Sequence, residues 1–329
     1  MNTSKTKPRI LVTCKTCGAF LFSQLSNIGE MTESPFRKIR PLKESELIEE
    51  LRGKDIVVAG TDPYTADVIN EIASSGLRMI ARFGVGLDNI DLAAATRNGI
   101  LVTYAPKASS NSVAEFAVSV IFGLSKRLVE ADASVRTGKW LQASIRGYEL
   151  EGKVAGIIGF GTIGRKVGEL LEKFGLQVIV YDPFIHDEPR LRDFEYVLRN
   201  SDILTIHSAL TSSAKHLIGE KELAMMKPAS IIVNTARGGI VDETALNSFL
   251  KEGRIGGAAL DVFEREPPEI SQTFAKLPNV ILTPHIAGNT WESSDRMDHV
   301  IVEDVTRFLL GEKPIYPANP EVLSTLQLN

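Results

Sequence analysis

The stretch that decides the fold of the middle of this chain is VAGIIGFGTIGRKVGELLEKFGLQVIVYDP, residues 154–183. An apolar run predicts a buried strand, a glycine-rich turn leads into a helical pattern, and a second β-branched strand ends at Asp182. The turn has the form G-x-G-x-x-G, with Gly159, Gly161 and Gly164 at the glycine positions. A strand, this turn and a helix in succession predict a doubly wound domain that binds a dinucleotide.

Each part of this motif has a separate task. The first glycine permits a tight turn, the second lets the backbone approach a pyrophosphate at the helix N-terminus, and the third lets helix and strand pack closely. A carboxylate at Asp182 accepts both ribose hydroxyls and repels a 2′-phosphate. Pro183 and Phe184 follow without an arginine to bind that phosphate, so the pattern favours NAD over NADP. The alternative is a glycine-rich turn that binds no ligand.

Strand and helix patterns alternate on both sides of the break at 105–111. In the first third, strands are predicted at 9–13, 55–60, 77–83 and 100–105, with helices at 44–51, 65–74 and 91–99. The central block predicts strands at 154–159, 176–181, 202–207, 229–234, 256–260 and 279–283. Because these strands are continuous apolar runs, they are typical of parallel sheets covered on both faces. The chain is therefore predicted to be an α/β protein with two doubly wound parallel-sheet domains.

The helical pattern at 113–128 is apolar on nearly every face through Leu124, which is typical of a helix buried between domains or subunits. Ser112 and Glu115 fit a capping box that would open it. Residues 136–153 are polar and are interpreted as irregular. The segment from Trp291 onward predicts a final amphipathic helix.

Composition excludes several classes of protein. The 329 residues are 43% hydrophobic and 24% charged, as in soluble globular chains, and the formal net charge is −4. This balance gives no reason to expect nucleic acid or an anionic membrane as a partner. The apolar runs are too short to span a bilayer, and the N-terminus is polar, without a signal-peptide pattern. We expect a cytoplasmic protein.

Three candidate catalytic side chains follow predicted strands of the central block, namely Arg237, Glu266 and His285. In an open parallel sheet, ligands bind outside the carboxyl ends of the strands, beside the nucleotide. Oxidation of a 2-hydroxy acid sends a hydride to nicotinamide and a proton to a base, which histidine supplies near neutral pH. Glutamate can orient the imidazole, and arginine can bind a carboxylate in a bidentate pair.

Each of these residues also has an ordinary structural interpretation. A histidine after a strand is often a satisfied structural residue, Arg237 could form a surface salt bridge, and Glu266 could be a solvated loop charge. Their arrival together at one edge favours catalysis. His207 also ends a strand and is a rival base, but without an obvious carboxylate partner it is interpreted as a residue on the cofactor side.

Six segments in order carry a family resemblance. They are GVGLDNID (84–91), VAEFAV (113–118), GIIGFGTIG (156–164), NTARGGIVDETAL (234–246), ALDVFEREPP (259–268) and TPHIAGNT (283–290). With these motifs the chain resembles the NAD-dependent D-2-hydroxyacid dehydrogenases, in the branch of phosphoglycerate, glyoxylate and hydroxypyruvate enzymes. The resemblance covers residue 8 to about residue 317.

The resemblance implies a Rossmann NAD-binding domain, residues 109–289, inserted in a flavodoxin-like substrate domain of residues 1–108 and 290–329. It implies a homodimer through the NAD-binding domain, and Arg237, Glu266 and His285 as the catalytic set. Beside the glycines and Asp182, it implies cofactor contacts from Thr162, Ile163, His207, Ser208, Thr235, Ala236, Asp261 and Gly288. Substrate contacts are implied for Arg82, Val85, Gly86 and Arg237, with backbone amides of Val85 and Gly86 on the substrate carboxylate.

One departure bears on the substrate. Phosphoglycerate enzymes of this type resemble one another in having an arginine where this chain has Ala59, whereas Arg82 is retained, so one of two expected phosphate contacts is missing. The chemistry implied is hydride transfer between NAD(H) and C2 of a small D-2-hydroxy or 2-oxo acid. The alternative is an NAD-sensing corepressor or scaffold that keeps the fold without metabolic turnover.

The only two cysteines form the C-x-x-C of Cys14 and Cys17. A structural zinc needs about four ligands, and the sequence contains no second pair. A redox dithiol is not excluded, because the pair follows a predicted strand. We expect residues 14–18 to lie at the carboxyl end of that strand and to help line a substrate pocket.

Overall fold

A computed structural model describes residues 7–269 and 274–326. The chain divides into two compact units. The first, called here the terminal unit, comprises Met1–Ser109 and Asn289–Asn329, and the second, the central unit, comprises Ser110–Gly288.

The terminal unit contains a parallel sheet with helices on both faces. Its strands are β1 (Arg9–Val12), β2 (Glu30–Glu33), β3 (Ile56–Ala59), β4 (Met79–Arg82) and β5 (Leu101–Tyr104). Its helices are α1 (Ala19–Ile28), α2 (Glu44–Leu51), α3 (Ala66–Ile72), α4 (Leu92–Arg97) and α11 (Trp291–Leu310). The strand order β2-β1-β3-β4-β5 is the flavodoxin-like order. Helices α1 and α11 pack together on one face, and α2, α3 and α4 cover the other.

The central unit contains a six-stranded parallel sheet in the order β11-β10-β9-β8-β6-β7. Its strands are β6 (Val154–Ile158), β7 (Gln177–Tyr181), β8 (Ile203–Ile206), β9 (Ile231–Asn234), β10 (Gly257–Leu260) and β11 (Val280–Leu282). Its helices are α5 (Ser110–Ser125), α6 (Leu128–Arg136), α7 (Thr162–Lys173), α8 (Phe194–Asn200), α9 (Glu220–Met225) and α10 (Glu243–Lys251). The prediction of two doubly wound parallel sheets is confirmed.

The outer edge of β7 explains how this order relates to a Rossmann sheet. Leu191 forms an isolated parallel bridge to Val180, with hydrogen bonds from Val180 N to Arg190 O and from Arg192 N to Val180 O. The bridge stands where the third strand of the 3-2-1-4-5-6 order would lie. That strand is therefore reduced to a single bridged residue.

Helix α5 differs from its prediction in two ways. It begins at Ser110, so Ser112 lies inside its first turn rather than at the N-cap position of a capping box. Its apolar faces pack within the central unit, against α7 and the strands β9, β10 and β11. This packing accounts for its apolar character without a partner chain.

Candidate active site

The six strands of the central sheet end level with one another. The register aligns their last residues in the order Tyr181, Ile158, Ile206, Asn234, Leu260 and Leu282. The following residues therefore form a row along the carboxyl edge, consisting of Asp182, Gly159, His207, Thr235, Asp261 and Thr283. All of these except Thr283 were predicted from the sequence to contact the cofactor, and the register brings them to one edge.

Of the three glycines in the glycine-rich turn, only one faces open space that a ligand could occupy. Gly159 has φ +86°, and a Cβ there would lie 2.6 Å from Ser208 N. A Cβ on Gly164 would collide with the Gly159 carbonyl oxygen, so this glycine serves close packing. A Cβ on Gly161 would meet nothing within 4 Å, immediately before α7 begins at Thr162. The open space at Gly161, at a helix N-terminus, suits a pyrophosphate.

The Asp182 carboxylate is fixed by two backbone donors. Oδ2 accepts a hydrogen bond from Phe160 N at 2.8 Å and Oδ1 accepts one from Phe184 N at 2.9 Å. Each carboxylate oxygen has a further lone pair, so the group can still accept ribose hydroxyls. No arginine directly follows Asp182 in the sequence, yet the guanidinium groups of Arg165 and Arg190 both lie over the Phe160 ring.

Both arginines are paired with an acid. Arg190 Nε lies 2.7 Å and Arg165 Nη1 3.4 Å from the Glu188 carboxylate. The hydrogen bond from Arg190 lowers the pKa of Glu188, so it is ionised at neutral pH. The positive charge over the Phe160 ring is thus partly neutralised by Glu188.

Three buried polar atoms at this edge have no hydrogen-bond partner among the described residues. They are His207 Nδ1, Ser208 Oγ and Thr235 Oγ1, which follow β8 and β9. Buried polar groups are normally satisfied, so unpaired atoms beside an open glycine turn mark a place for a polar ligand. The residues present therefore fit a dinucleotide.

His207 is unsuited to the role of rival base. Its Nε2 lies 2.9 Å from Thr205 Oγ1, and burial lowers the pKa of His207 to about 3. A ring with that pKa stays neutral at physiological pH and neither takes nor supplies the reaction's proton efficiently.

His285 and Glu266 form a hydrogen-bonded pair. Nδ1 of His285 lies 2.8 Å from Oε2 of Glu266, and the side chains are 42% and 39% exposed. Burial alone would raise the pKa of Glu266, but the hydrogen bond from His285, its charge and that of Arg237 together lower it. Because the ionised carboxylate only accepts, Nδ1 carries the proton and Nε2 remains for another partner.

The loop that carries His285 is anchored on Asp261. Oδ1 of Asp261 accepts from Thr283 Oγ1 at 2.6 Å and from Ile286 N at 2.9 Å, and Oδ2 accepts from Ala287 N at 2.8 Å. The residue is 1% exposed. These contacts give Asp261 a supporting task that was not predicted from the sequence, while its predicted cofactor contact stays a prediction. The sequence signal that could have indicated this support is the hydroxyl of Thr283, two residues before His285, which can donate to a carboxylate.

Arg237 follows β9 and reaches the same group of side chains. Asn234 fixes its backbone, since Nδ2 donates to Arg237 O at 2.8 Å and Oδ1 accepts from Ala236 N at 3.0 Å. A Cβ on Gly238 would overlap the Phe263 carbonyl group, so the loops after β9 and β10 touch at this glycine. That contact brings Arg237 within electrostatic reach of Glu266.

The remaining predicted cofactor residues lie at or beside this edge. Thr162 and Ile163 are the first two residues of α7, Ala236 is 9% exposed after β9, and Gly288 ends the loop that follows His285.

The predicted substrate residues of the terminal unit follow β4. Arg82 is 9% exposed, and its guanidinium donates to Phe83 O at 2.5 Å and to Gly86 O at 3.1 Å. These two hydrogen bonds brace the 83–86 loop. Val85, at the loop's outer face, is 37% exposed.

Comparison with known proteins agrees with this geometry. The family model described as D-isomer specific 2-hydroxyacid dehydrogenase, NAD binding domain, matches residues 118–287. The chain belongs to this family of dehydrogenases, as the motifs predicted, and its cofactor is NAD. None of the helices in the described ranges combines the length and apolar character needed to cross a membrane.

Individual relatives differ in length. A D-3-phosphoglycerate dehydrogenase from Archaeoglobus fulgidus is 40% identical over 82% of this chain, but the match covers 52% of that enzyme, so this chain spans about half its length. A glyoxylate reductase from Thermococcus litoralis is 39% identical over 85% of this chain and 88% of its own. The solved TT0316 protein of Thermus thermophilus superimposes with a TM-score of 0.86 at 31% identity, over 94% of this chain and 99% of its own.

Proposed function

We propose that this protein transfers a hydride between NAD(H) and C2 of a small D-2-hydroxy acid or 2-oxo acid. The observation that carries the proposal is the His285–Glu266 hydrogen bond, located with Arg237 at the carboxyl edge of the nucleotide sheet. Family membership supports the reaction class.

Each catalytic side chain has one task in this proposal. NADH, when bound, supplies the hydride that adds to C2 of the 2-oxo acid. His285 delivers a proton from Nε2 to the carbonyl oxygen, and takes it back in the oxidation direction. Glu266 accepts the hydrogen bond from Nδ1–H and so fixes the tautomer and orientation of the imidazole. Arg237 binds the substrate carboxylate through its planar guanidinium and polarises the carbonyl.

The cofactor is held by the row of residues along the sheet edge. In our proposal the pyrophosphate lies at Gly161, Thr162 and Ile163, and Asp182 accepts the ribose hydroxyls. The unpaired atoms of His207, Ser208 and Thr235 are satisfied by the dinucleotide.

The substrate is proposed to be unphosphorylated, of the glyoxylate or hydroxypyruvate kind. Ala59 lies buried in β3, and the guanidinium of Arg82 donates to backbone carbonyls. Ala59 offers no basic group to a phosphate, so one of the two expected phosphate contacts is missing. The Thermococcus litoralis relative is named a glyoxylate reductase. Amides of Val85 and Gly86 remain the proposed ligands of the substrate carboxylate.

We also propose a homodimer through the central unit. Four apolar side chains on α6 and just after it are exposed to solvent. Their exposed fractions are 56% for Leu128, 51% for Val129, 58% for Val135 and 78% for Trp140. Such a run of exposed apolar residues is unusual on a monomer and suits a protein interface.

A substrate panel tests the function. NADH oxidation is measured with glyoxylate, hydroxypyruvate and phosphohydroxypyruvate, and we expect turnover with the first two. If phosphohydroxypyruvate has the highest kcat/KM, the substrate proposal is wrong while the reaction class stands. If NADH binds but no 2-oxo acid turns over, the enzymatic proposal fails and the alternative of an NAD-sensing corepressor or scaffold is favoured.

A further inference from the structure

The two cysteines lie together between the first strand and the first helix of the terminal unit. Cys14 and Cys17 follow β1 and precede α1, with exposures of 1% and 9%. Both are free thiols, and Cys17 Sγ donates a hydrogen bond to Cys14 O at 3.7 Å. Cys17 is the thiol nearer the protein surface, because its neighbours Thr16 and Gly18 are exposed and half-buried. Hydride transfer, as proposed above, uses neither sulfur.

A buried arginine from a distant segment is directed at the pair. Arg37 is 6% exposed, and its Nη1 donates to Cys17 Sγ at 3.3 Å and to Cys14 O at 2.9 Å. On its other side Nε lies 2.6 Å from the Glu33 carboxylate. A guanidinium beside a sulfur stabilises the thiolate, which is the nucleophilic form of cysteine.

The two thiols differ in their readiness to ionise. Burial raises the pKa of Cys14 well above its ordinary value. The hydrogen bond from Cys14 and the charge of Arg37 lower the pKa of Cys17, in spite of its burial and of the nearby Asp298 carboxylate. A thiol whose ionisation is favoured, beside a buried thiol whose ionisation is disfavoured, is the arrangement of an attacking and a resolving cysteine.

We propose that Cys14 and Cys17 form a redox site that a hydroperoxide converts into an intramolecular disulfide, with Cys17 as the attacking group. The Cys17 sulfur attacks a peroxide oxygen, the O–O bond breaks, and Cys17 becomes a sulfenic acid while water or an alcohol leaves. The Cys14 sulfur then attacks Cys17 Sγ, the S–O bond breaks, and the departing hydroxide takes the Cys14 proton as water. Two electrons pass from the sulfurs to the peroxide, and an external dithiol reverses the change.

Intact-mass measurement and thiol titration of the unfolded chain test this site directly. With hydrogen peroxide we expect wild type to lose about 2 Da and both titratable thiols, and to recover them with dithiothreitol. Cys14→Ser should stop at a Cys17 sulfenic acid that dimedone traps, and Cys17→Ser should react at least about tenfold more slowly. Retention of both thiols in wild type, or faster reaction of Cys17→Ser than of Cys14→Ser, would overturn the proposal.

The role of Arg37 is tested by a matched pair of variants. Arg37→Gln removes the charge beside Cys17 and should slow the peroxide reaction about tenfold, as expected for a change of about one unit in thiol pKa. Glu33→Gln removes the ion pair while keeping Arg37, and should leave the reaction as fast or faster. Equal slowing by both variants would refute the part assigned to Arg37. If Arg37→Gln does not fold, the comparison of the two serine variants decides alone.

Discussion

His285 is held in place by its neighbours rather than by its own backbone preference. Its φ of +54° lies in the left-handed region, which costs a non-glycine residue about 1–3 kcal/mol. The Asp261 carboxylate accepts hydrogen bonds from both sides of this residue, from Thr283 and from Ile286 and Ala287. The imidazole is thereby presented to Glu266.

Replacement of the proposed acid–base residue separates chemistry from binding. We expect His285→Ala to lower kcat about 10²–10⁴-fold, the usual contribution of general acid–base catalysis, while NADH still binds. Stopped-flow turnover and NADH fluorescence measure the two effects. His299→Ala, an exposed histidine of α11, is the control. Wild-type kcat in His285→Ala would mean that another residue is the base.

The hydrogen bond from His285 to Glu266 should contribute to the chemical step. Glu266→Gln keeps a hydrogen-bonding side chain but removes the negative charge that makes this a charge-assisted hydrogen bond. We expect a smaller kcat with little change in NADH binding, because the imidazole is held less firmly. Steady-state kinetics and NADH fluorescence measure the two effects. A wild-type kcat in Glu266→Gln would show that the charge of Glu266 does not matter to His285.

Cofactor choice depends on Asp182 and on the two arginines beside Phe160. We expect Asp182→Ala to raise KM for NADH and to lower KM for NADPH, because the carboxylate no longer repels the 2′-phosphate, while Arg165 and Arg190 remain over the Phe160 ring. The ratio of kcat/KM values with the two cofactors is the measurement. An unchanged ratio would contradict the ribose assignment.

Element prediction succeeded where strands are long apolar runs and failed where they are not. The predicted strands that became β1, β3, β4 and β5 are buried on both faces. The edge strand β2 has the sequence EMTE and is largely exposed, so it lacks that signal and was missed together with α1 before it. Helix α6 was also missed, because its exposed apolar residues obscure the helical period.

Site prediction was limited in a similar way. The catalytic set could be proposed because each residue follows a recognisable strand. The support from Asp261 to Thr283, and the contact of Arg37 with Cys17, join residues 22 and 20 positions apart through side chains alone. No local pattern reports such contacts, since they depend on how separate loops pack.

Helix α11 contains a buried carboxylate that should make stability depend on pH. Asp304 is fully buried and accepts from Ile315 N at 2.6 Å and Tyr316 N at 3.3 Å. Burial raises its pKa from 3.8 to about 6, so its contribution to stability is full below pH 3.8 and is lost as pH rises through 6.

Replacement of that carboxylate should remove this dependence. Over the interval the loss amounts to about 3 kcal/mol in wild type. We expect Asp304→Asn to lose less stability than wild type between pH 4 and 7, as measured by urea unfolding. Asp295→Asn, an exposed position on the same helix, should follow wild type. Parallel curves for wild type and Asp304→Asn would contradict the assignment.

At the scale of the whole molecule, the two parallel sheets have related topologies but carry different functional groups. The central sheet presents an aligned row of nucleotide-edge residues, while the terminal sheet presents a thiol pair after β1 and a braced loop after β4. Association is expected through the central unit, where exposed apolar side chains gather on α6.

The dimer proposal is tested by introducing one negative charge among the exposed apolar residues of α6. We expect Val135→Asp to shift the protein from dimer to monomer in light scattering, because a buried unpaired carboxylate disfavours an interface. Ile39→Asp, at a 74% exposed position of the terminal unit, is the control and should leave the mass unchanged. A wild-type monomer would refute the proposal outright.

The interruption of the terminal unit also fixes an order of events during synthesis. Its last strand, β5, is completed by Asn319, whose side chain accepts from Val102 N and donates to Ile100 O, and α11 packs against β4 and β5. These groups leave the ribosome after the whole central unit, although domains commonly fold from the N-terminus onward. The first segment of the terminal unit is therefore synthesised with its apolar strand faces uncovered, and they stay uncovered while the central unit folds. Chaperone demand during translation should accordingly fall on residues 9–104.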